Sequence, residues 1–383
     1  MRIAAVEFLG VNVTPKTNWC FLLVRTEDGR TGIGECTLMN QEAGVADAAA
    51  RLATLVAGED ARDRNRLARL LPHAPGGIVA HTALSAFEQA LWDLAGQAAG
   101  EPIHRQLGGA LRSTVALYAN VNRGADPRTP EGFAAAARRA VAAGFGAVKL
   151  APFEPLVWED GTDPEQRAAY EGGLARIAAV REAVGPGVAV MVDAHWRFSA
   201  GGAARLIRDL APLDPFWIEC PVAEANHAEL RRLRSMANDR GIRLAGAETL
   251  AGLAAYRPVI EGGCYDVLMP DIKHAGGHEE IRRIAALAQT AGVEIAPHNP
   301  SGAVCHAHSV HLCATIPNFL VLEVQFGETQ LFFDLVRGDD LGFRNGTAVP
   351  PASPGLGVVL DEEMARASPW RAVPRPWLDP RLG

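Results

Sequence analysis

Residues 188–195 read VAVMVDAH, an apolar run that closes with two polar side chains two positions apart. Val190, Met191 and Val192 are typical of a buried strand. Because side chains alternate between the two faces of a strand, Asp193 and His195 are expected on the same face. Such a pair is either a structural hydrogen bond or the beginning of a functional site, and the surrounding chain decides which.

The alternation of an apolar run with a helical stretch repeats through most of the chain. Eight strand candidates are separated by seven stretches rich in Ala, Leu and Arg, for example GFAAAARRAVAAG (132–144). Strands that alternate with helices of this length predict βαβ units and a parallel sheet. Eight in succession favour a closed barrel over an open, doubly wound sheet. The runs are TVALYANV (114–121), GAVKLAPF (146–153), VAVMVDAH (188–195), PFWIECPV (215–222), RLAGAET (243–249), YDVLMPDI (265–272), VEIAPHNP (293–300) and NFLVLEVQ (318–325).

The two ends of the chain depart from this alternation. In residues 1–112, strand-like segments with a turn at Asp28-Gly29 precede helical segments, an order that suggests a separate α+β domain. Residues 113–340 then form the barrel. Residues 341–383, rich in Pro and Gly, are expected to pack back on the first domain.

Composition limits the classes of partner. The net charge is −7 and the chain has no basic block, which argues against nucleic acid or an anionic membrane. No apolar run is long enough to cross a bilayer, and the N-terminus lacks the apolar core of a signal peptide. We therefore expect a cytoplasmic protein with neither nucleic acid nor membrane as a partner. A homo-oligomer that acts on a small-molecule carboxylate is also expected, but composition alone does not indicate it.

Ionisable side chains end the barrel strands at regular intervals. From Asp193 onward the intervals are 26, 29, 23, 27 and 25 residues, one βα unit each. In a closed parallel barrel these ends meet at one mouth, where such barrels hold their active sites. A single polar strand end can simply cap a loop, but this many charges would repel one another unless a cation or proton neutralised them. The side chains are Lys149, Asp193, Glu219, Glu248, Asp271, His298 and Glu323.

The residue types within this set suggest two roles. Asp193, Glu219 and Glu248 offer only oxygen ligands from adjacent strands, which suits Mg²⁺, or Mn²⁺, better than zinc. Asp271 and His298 end the next two strands, and a carboxylate beside an imidazole orients the ring as a general base requires. His195 faces the same mouth and could donate a proton to a leaving group.

This order of strand-end residues resembles the enolase superfamily, in its mandelate racemase-like branch. The likeness extends to GIGE (32–35), MPDIKHAGG (269–277) and PGLGVVLDEE (354–363). The resemblance implies an α/β fold with a modified TIM barrel, (β/α)7β, and an N-terminal α+β capping domain completed by the C-terminal tail. It also implies that Asp193, Glu219 and Glu248 bind Mg²⁺, that Asp271 and His298 form the catalytic dyad, and that Glu323 contacts the substrate carboxylate.

Within that branch, DAH, PDIKHAGG and APHNPSG most resemble the sugar-acid dehydratases of the galactonate dehydratase type. The likeness implies that His298 removes the C2 proton of an aldonate or aldarate. His195 would protonate the departing C3 hydroxyl, giving a 2-keto-3-deoxy acid. Many mandelate racemase-like members carry Lys-x-Lys on the second strand, whereas this chain has Lys149-Leu150-Ala151. One base is therefore missing, which disfavours racemisation and leaves Lys149 as a cationic contact for substrate oxygens.

The sequence also allows other functions. A sugar-acid epimerase, a racemase or a lactone cycloisomerase would use the same fold, with His298 as one base and either Lys149 or His195 as the opposed one. A Schiff-base aldolase would use Lys149 as nucleophile, and a carbohydrate-binding barrel would need no chemistry at all. The segment CHAHSVHLC (305–313) looks metal-like, but on a helix its side chains spread over several faces, which favours packing. Arg197 is either a surface charge or a substrate contact.

Substrate specificity is expected in three places that do not by themselves identify a substrate. They are residues 14–19, the long connection 152–165, and the residues after His298.

Overall fold

The N-terminal part of the chain folds around a three-stranded antiparallel sheet. The structure is a computed structural model that describes residues 1–70, 77–154, 156 and 163–373. The sheet is built from β1 (Ile3–Thr14), β2 (Thr17–Thr26) and β3 (Thr31–Glu35), in that order. The turn between β2 and β3 lies at Asp28-Gly29, where Gly29 has a φ of +87°. Four helices follow: α1 (Glu42–Val56), α2 (Arg64–Leu70), α3 (Gly77–Ala99) and α4 (Ile103–Gln106).

The GIGE segment in β3 explains how this sheet packs so closely on α3. A Cβ added at Gly32 would lie 2.2 Å from the Ala90 carbonyl oxygen, and one at Gly34 would lie 2.0 Å from that of Ala86. Only glycine therefore allows the strand to approach the helix backbone this closely. The contact fixes the position of the residues after β3, which reach the mouth of the barrel.

The central part of the chain forms one sheet of eight parallel strands that follow one another in sequence order. Its two ends meet through backbone hydrogen bonds: the Ile295 amide donates to Asn318 (2.9 Å) and the Leu320 amide donates to Ile295 (2.8 Å). The expectation of a modified TIM barrel with a capping domain is confirmed. The strands are β4 (Val115–Asn120), β5 (Ala147–Leu150), β6 (Ala189–Asp193), β7 (Trp217–Glu219), β8 (Arg243–Gly246), β9 (Val267–Leu268), β10 (Glu294–Ile295) and β11 (Leu322–Gln325).

Among the residues that the structure describes, seven helices connect these strands, as the alternating pattern predicted. Four begin at a side chain that accepts a hydrogen bond from the first turn, namely Thr129, Asp163, Ser199 and Asn226. Such caps satisfy amides that have no partner within the helix. The helices are α5 (Pro130–Ala142), α6 (Pro164–Val184), α7 (Ala200–Leu210), α8 (His227–Asn238), α9 (Leu253–Glu261), α10 (Gly277–Thr290) and α11 (Ala303–Cys313). A 3-10 turn, Ala211–Leu213, extends α7.

Helix α11 is buried along its whole length, between the barrel and the N-terminal unit. It contains the CHAHSVHLC segment, whose histidines bond to protein groups. His308 Nε2 lies 2.9 Å from the Ile33 carbonyl, and His311 Nε2 lies 3.1 Å from that of Leu356. The interpretation of this segment as a packing helix therefore agrees with the contacts seen.

The C-terminal part of the chain contacts both units. It contains α12 (Leu331–Asp334), β12 (Val336–Gly338), β13 (Thr347–Ala348), β14 (Val358–Leu360) and α13 (Glu362–Ala367). β13 pairs with barrel strand β4, and β14 pairs with β12. Beyond α13, the Trp370 amide donates to Gly10 of β1 at 3.0 Å. Residues 374–383 of the predicted tail lie outside the described residues.

None of the described helices combines the length and apolar character that a membrane crossing requires.

Candidate active site

A cavity of about 450 Å³ lies where the carboxyl ends of the barrel strands meet the N-terminal unit. Residues at the strand ends of the barrel form its wall, and residues of β2 and of the segment after β3 form its roof. Barrel residues on its wall include Asn120, Asn122, Arg123, Lys149, Ala151, Asp193, His195, Arg197, Glu248, Lys273, His298 and Gln325; the roof includes Thr17, Asn18, Trp19, Thr37, Leu38 and Met39.

Lys149, at the end of β5, lies buried between two carboxylates. Its Nζ is 2.6 Å from Glu219 Oε1 and 3.0 Å from Glu323 Oε1. Burial alone would lower the pKa of this ammonium group, but attraction from Glu219 and Glu323 raises it well above its ordinary value. Lys149 is therefore a fixed positive charge at the cavity wall.

Asp193 and His195 form a pair, but not through the strand alternation that the sequence suggested, because β6 ends at Asp193 and His195 lies beyond it with a left-handed backbone. His195 donates its backbone amide to Asp193 Oδ1 (2.9 Å), and its Nε2 lies 2.7 Å from Oδ2. Burial raises the pKa of Asp193, but the attraction of His195 outweighs it and holds that pKa at about 2. For His195, burial lowers the pKa and Asp193 more than compensates, so the pKa lies above its ordinary value.

Non-glycine residues with a left-handed backbone lie beside the three carboxylates at these strand ends. The φ angles are +45° at His195, +54° at Trp196, +45° at Cys220 and +74° at Ala247. Each such conformation costs about 1–3 kcal/mol, and strain of this kind concentrates at functional sites. The backbone geometry thus points to the same edge of the barrel as the charges do.

Glu248 differs from the other two carboxylates because its buried Oε2 has no hydrogen bond, and the basic group nearest to it is His298, whose Nε2 lies 3.6 Å away. Glu219 is held by Lys149 and by Trp217, whose Nε1 donates to Oε2 at 3.0 Å. Glu248 Oε2 is buried without a hydrogen bond. Burial, and then repulsion from Asp193 and Glu219, raise the pKa of Glu248 well above its ordinary value.

The donor set fits a cation, although the side chains are not arranged as ligands here. Within the described part of the chain, no three Asp, Glu, His or Cys side chains are placed to hold a metal ion together. Glu219 and Asp193 are instead in contact with Lys149 at 2.6 Å and with His195 at 2.7 Å. Burial and the repulsion between carboxylates raise the pKa of Glu219 to about 7. Buried oxygens that repel one another, one of them without a partner, are suited to a hard divalent ion.

Asp271 and His298 come together from the ends of β9 and β10. His298 Nδ1 lies 2.7 Å from Asp271 Oδ2, and His298 Nε2 lies 3.6 Å from Glu248 Oε2. An ionised Asp271 accepts the Nδ1 proton, so Nε2 is the ring atom that can take a proton at the cavity. Burial would raise the pKa of Asp271, but the charge of Lys273 and the other groups around it lower that pKa.

Glu323 lies behind the cavity wall instead of on it. Its Oε1 accepts from Asn120 Nδ2 (2.7 Å) as well as from Lys149, and its Oε2 accepts the Asn299 amide (2.9 Å). Glu323 is fully buried and absent from the cavity wall. The geometry gives it contacts with Lys149, Asn120 and Asn299, and its contact with a substrate carboxylate stays a prediction.

Several residues of the cavity wall were not predicted as site residues from the sequence. Lys273 lies inside the MPDIKHAGG motif, whose number of polar residues could have drawn attention to it. Asn120, Asn122 and Gln325 end β4 and β11 or follow them, and their neutral side chains gave no charge signal. Their adjacency is visible only after β11 pairs with β4.

Two of the three predicted specificity regions reach the cavity. Thr17, Asn18 and Trp19 form part of the roof, and Pro300 and Ser301 after His298 form part of the wall. Of the connection 152–165, residues 155 and 157–162 lie outside the described residues. Arg197 lines the cavity and donates to the Leu156 carbonyl, so it is not a surface charge.

Sequence comparison gives matches over nearly the whole chain. Residues 132–364 match the family described as Enolase C-terminal domain-like. Residues 9–108 match the N-terminal domain of mandelate racemase / muconate lactonizing enzyme. A D-galactonate dehydratase from Ralstonia nicotianae is 32% identical over 92% of this chain and 93% of that protein. A D-gluconate dehydratase from Thermoproteus tenax is 34% identical over 75% of this chain and 57% of that protein.

Solved structures resemble the whole molecule. A mandelate racemase/muconate lactonizing enzyme-like protein from Rubrobacter xylanophilus superposes with a TM-score of 0.87 at 33% identity, over 97% of this chain and 98% of that one. A member of the enolase superfamily from Salmonella Typhimurium gives a TM-score of 0.88 at 26% identity, over 96% and 98%.

Proposed function

Since the chain belongs to the mandelate racemase / muconate lactonizing enzyme family of the enolase superfamily, we propose that it is a Mg²⁺-dependent sugar-acid dehydratase, a hydro-lyase. It would remove the C2 proton of the sugar acid and eliminate the C3 hydroxyl. The product would be a 2-keto-3-deoxy acid. The relatives named D-galactonate and D-gluconate dehydratase support this class of reaction.

The Asp271–His298 pair is the observation that carries the proposal. His298 is oriented through Nδ1 by a carboxylate 2.7 Å away and sits on the cavity wall. This is the arrangement of a general base. In the proposed reaction, Nε2 of His298 takes the proton from C2, and Asp271 stabilises the imidazolium that forms.

Asp193, Glu219 and Glu248 would hold the Mg²⁺, with Mn²⁺ as a substitute. When bound, the ion would neutralise the negative charge that develops on the substrate carboxylate as the C2 proton leaves. Lys149 supplies a second, fixed positive charge from the end of β5, the strand next to β6. Glu323 would act indirectly, because it holds Lys149 in place at 3.0 Å.

His195 would donate the proton that accompanies the C3 hydroxyl. Burial lowers the pKa of His195, but Asp193, 2.7 Å away, raises it above the ordinary value, which favours the protonated ring in the metal-free protein. The imidazole and a bound cation would both use the Asp193 carboxylate, which links proton donation to the metal site.

The charge balance of the wall favours a substrate with one carboxylate over one with two. In the described residues, each cation on the wall already has a carboxylate or carbonyl partner. Lys149 pairs with Glu219 and Glu323, Lys273 with Asp271, and Arg123 with Glu328 at 2.9 Å, while Arg197 donates to the Leu156 carbonyl. On the described wall, a second substrate carboxylate would find only Arg197 as a cation without a carboxylate partner, and the Arg197 guanidinium already donates to the Leu156 carbonyl. Neutral donors such as Asn122 and Gln325 suit a polyol tail, so an aldonate is the proposed substrate class.

The rival reactions find less support in the site. An epimerase or racemase needs a base on the opposite face of C2, and the candidate position holds Ala151 on the cavity wall. A Schiff-base aldolase needs a neutral lysine, whereas two carboxylates raise the pKa of Lys149 well above its ordinary value. The dehydratase should therefore act on one C2 configuration only.

A substrate screen tests this proposal. Aldonic acids (galactonate and gluconate among them) and the matching aldaric acids would be incubated with enzyme and Mg²⁺, and 2-keto acid would be detected with semicarbazide. We expect 2-keto acid from one or more aldonates and none after exhaustive chelation. Interconversion of C2 epimers in D₂O without 2-keto acid would instead identify an epimerase. Full activity after chelation would reject the metal assignment.

A further inference from the structure

Lys273 shares one oxygen of the dyad with His298. The Lys273 amide donates to Asp271 Oδ1 at 2.8 Å, and the Lys273 Nζ lies 2.5 Å from Oδ2. The same Oδ2 is 2.7 Å from His298 Nδ1. Lys273 thus contacts both carboxylate oxygens of Asp271, and Oδ2 accepts from Lys273 Nζ and from His298 Nδ1.

The surroundings of Lys273 leave Asp271 as its main partner. The side chain is 2% exposed, and a lysine so buried needs a carboxylate to remain charged. Its Nζ also lies 3.7 Å from Cys305 Sγ, a weak acceptor, and it is attracted by Glu35. Lys273 borders the cavity, yet its ammonium group is directed to the dyad.

We propose that Lys273 is a positioning residue for the general base, an inference that rests on the proposed function. With Lys273 on it, Oδ2 of Asp271 has a fixed direction and full charge. His298 then keeps its proton on Nδ1 and presents a bare Nε2 to C2. Without Lys273, Asp271 is a buried carboxylate with one partner fewer, and it is free to rotate away from the ring or to take a proton.

This role differs measurably from two simpler ones. A residue that only stabilises the fold would lower the amount of folded enzyme and leave the dyad in the folded fraction unchanged. A residue that binds substrate would raise KM. A positioning residue lowers kcat and the rate of C2 exchange together while KM changes little.

The test compares Lys273→Met and Lys273→Arg with the wild-type enzyme and with Cys305→Ser as matched control. Cys305→Ser changes the other neighbour of Nζ and leaves the Asp271 pair intact. For Lys273→Met we expect kcat and the exchange of the C2 proton with D₂O to fall by about 10- to 100-fold, the usual effect of losing a supporting partner. KM should stay within about threefold, and Lys273→Arg should recover part of the loss by restoring the charge.

A second readout keeps the proposal testable without substrate. In 15N-labelled protein, the His298 Nδ1–H resonance, assigned by its absence in His298→Asn, should move or broaden in Lys273→Met and stay unchanged in Cys305→Ser. Normal kcat in Lys273→Met, or a raised KM with normal kcat, would overturn the positioning role. So would an unchanged resonance in a folded Lys273→Met. If the wild-type enzyme dehydrates no sugar acid, the proposed function fails, and the resonance alone still decides whether Lys273 orients the dyad.

Discussion

At the scale of single residues, the buried carboxylates at the barrel mouth differ in their hydrogen-bond partners, and Glu248 has the fewest. Asp193 has His195, and Glu219 has Lys149 and Trp217. Glu248 Oε2 has no hydrogen bond and is repelled by the other two carboxylates. This oxygen therefore destabilises the metal-free protein and is available to a divalent ion.

Glu248→Gln should consequently change stability in opposite directions with and without metal. Without Mg²⁺ the variant should melt at a higher temperature than the wild type, because a buried repulsive charge is gone. The rise in melting temperature that Mg²⁺ gives the wild type by binding the folded state should largely disappear. Thermal scans with and without Mg²⁺ measure both effects.

Glu224→Gln is the matched control, because Glu224 is a partly buried carboxylate outside the trio whose Oε2 also has no hydrogen bond, while Gln can keep an oxygen acceptor for the Ala247 amide that Oε1 binds at 2.6 Å. Its Mg²⁺-dependent shift should equal that of the wild type. An undiminished shift in Glu248→Gln would remove Glu248 from the metal site.

Substitutions of the two histidines of the site should impair different steps of the reaction. His298→Asn should lose both dehydration and exchange of the C2 proton with D₂O, since no base remains. His195→Asn should lose dehydration far more than exchange, because deprotonation does not need the acid. Each loss should be about 10²- to 10⁴-fold, measured by 2-keto acid formation and by NMR of the C2 proton. If His195→Asn lost both together and high Mg²⁺ restored both, His195 would only hold Asp193.

At the scale of elements, helix α11 begins on a carboxylate that another part of the fold supplies. Its own N-cap, Gly302, has no side chain to accept from the first turn. Glu35, at the end of β3, accepts the Gly302 amide through Oε1 and the Cys305 amide through Oε2, both at 2.9 Å. A carboxylate at a helix N-terminus is favoured by the partial positive charge there. The cap thereby fixes the N-terminal end of α11, just after His298 and the cavity-wall residues Pro300 and Ser301.

Glu35→Ala should destabilise the protein on the order of 3 kcal/mol, because two buried amides lose their acceptor. Glu35→Gln should cost less, since it keeps one oxygen at the helix. Asp361→Ala is the comparison: it removes the partly buried cap of α13, where Asp361 Oδ1 accepts the single amide of Met364 at 3.0 Å, and should cost about 1 kcal/mol. Urea denaturation of the three variants gives the values, and equal losses for Glu35→Ala and Asp361→Ala would contradict the buried cap.

At the scale of the whole molecule, the N-terminal unit, α11 and the tail enclose two kinds of titratable group: histidines whose pKa is lowered and carboxyl groups whose pKa is raised. Burial lowers the pKa of His306, His308 and His311 to about 3. Burial raises the pKa of Glu88 to about 7 and that of Asp93 to about 6. Between pH 3 and 6.5 the unfolded chain binds more protons at these histidines, so their contribution to stability falls as the pH falls. Glu88 and Asp93 contribute in the opposite direction. The pH dependence of the free energy of unfolding is therefore the difference between the contribution of the histidines and that of the two acids.

A single substitution isolates one of these contributions. His306 is fully buried against Phe332 and Phe343, and its Nε2 has no partner. His306→Leu removes the titrating group at similar volume. Relative to wild type, the free energy of unfolding of the variant should rise as the pH falls below 6.5, by about 1.4 kcal/mol per pH unit. Urea denaturation at pH 7, 6 and 5 measures the difference, and a difference independent of pH would show that His306 titrates normally.

The sequence by itself determined the repeating architecture and the chemistry of the strand ends. Apolar runs such as 188–195 specify strands because burial favours them locally, and equal spacing along a closed barrel brings Asp193, Glu219 and Glu248 to one mouth. The Asp271–His298 contact also follows from neighbouring strands. Only the tertiary structure decided which charge meets which. Lys149 reaches Glu323, Lys273 shares Asp271 with His298, and Glu35 caps α11. These pairings depend on side-chain directions and on packing between segments far apart in the chain, which local periodicity does not encode. They also place Glu323 behind the wall, and Asn120 and Gln325 on it.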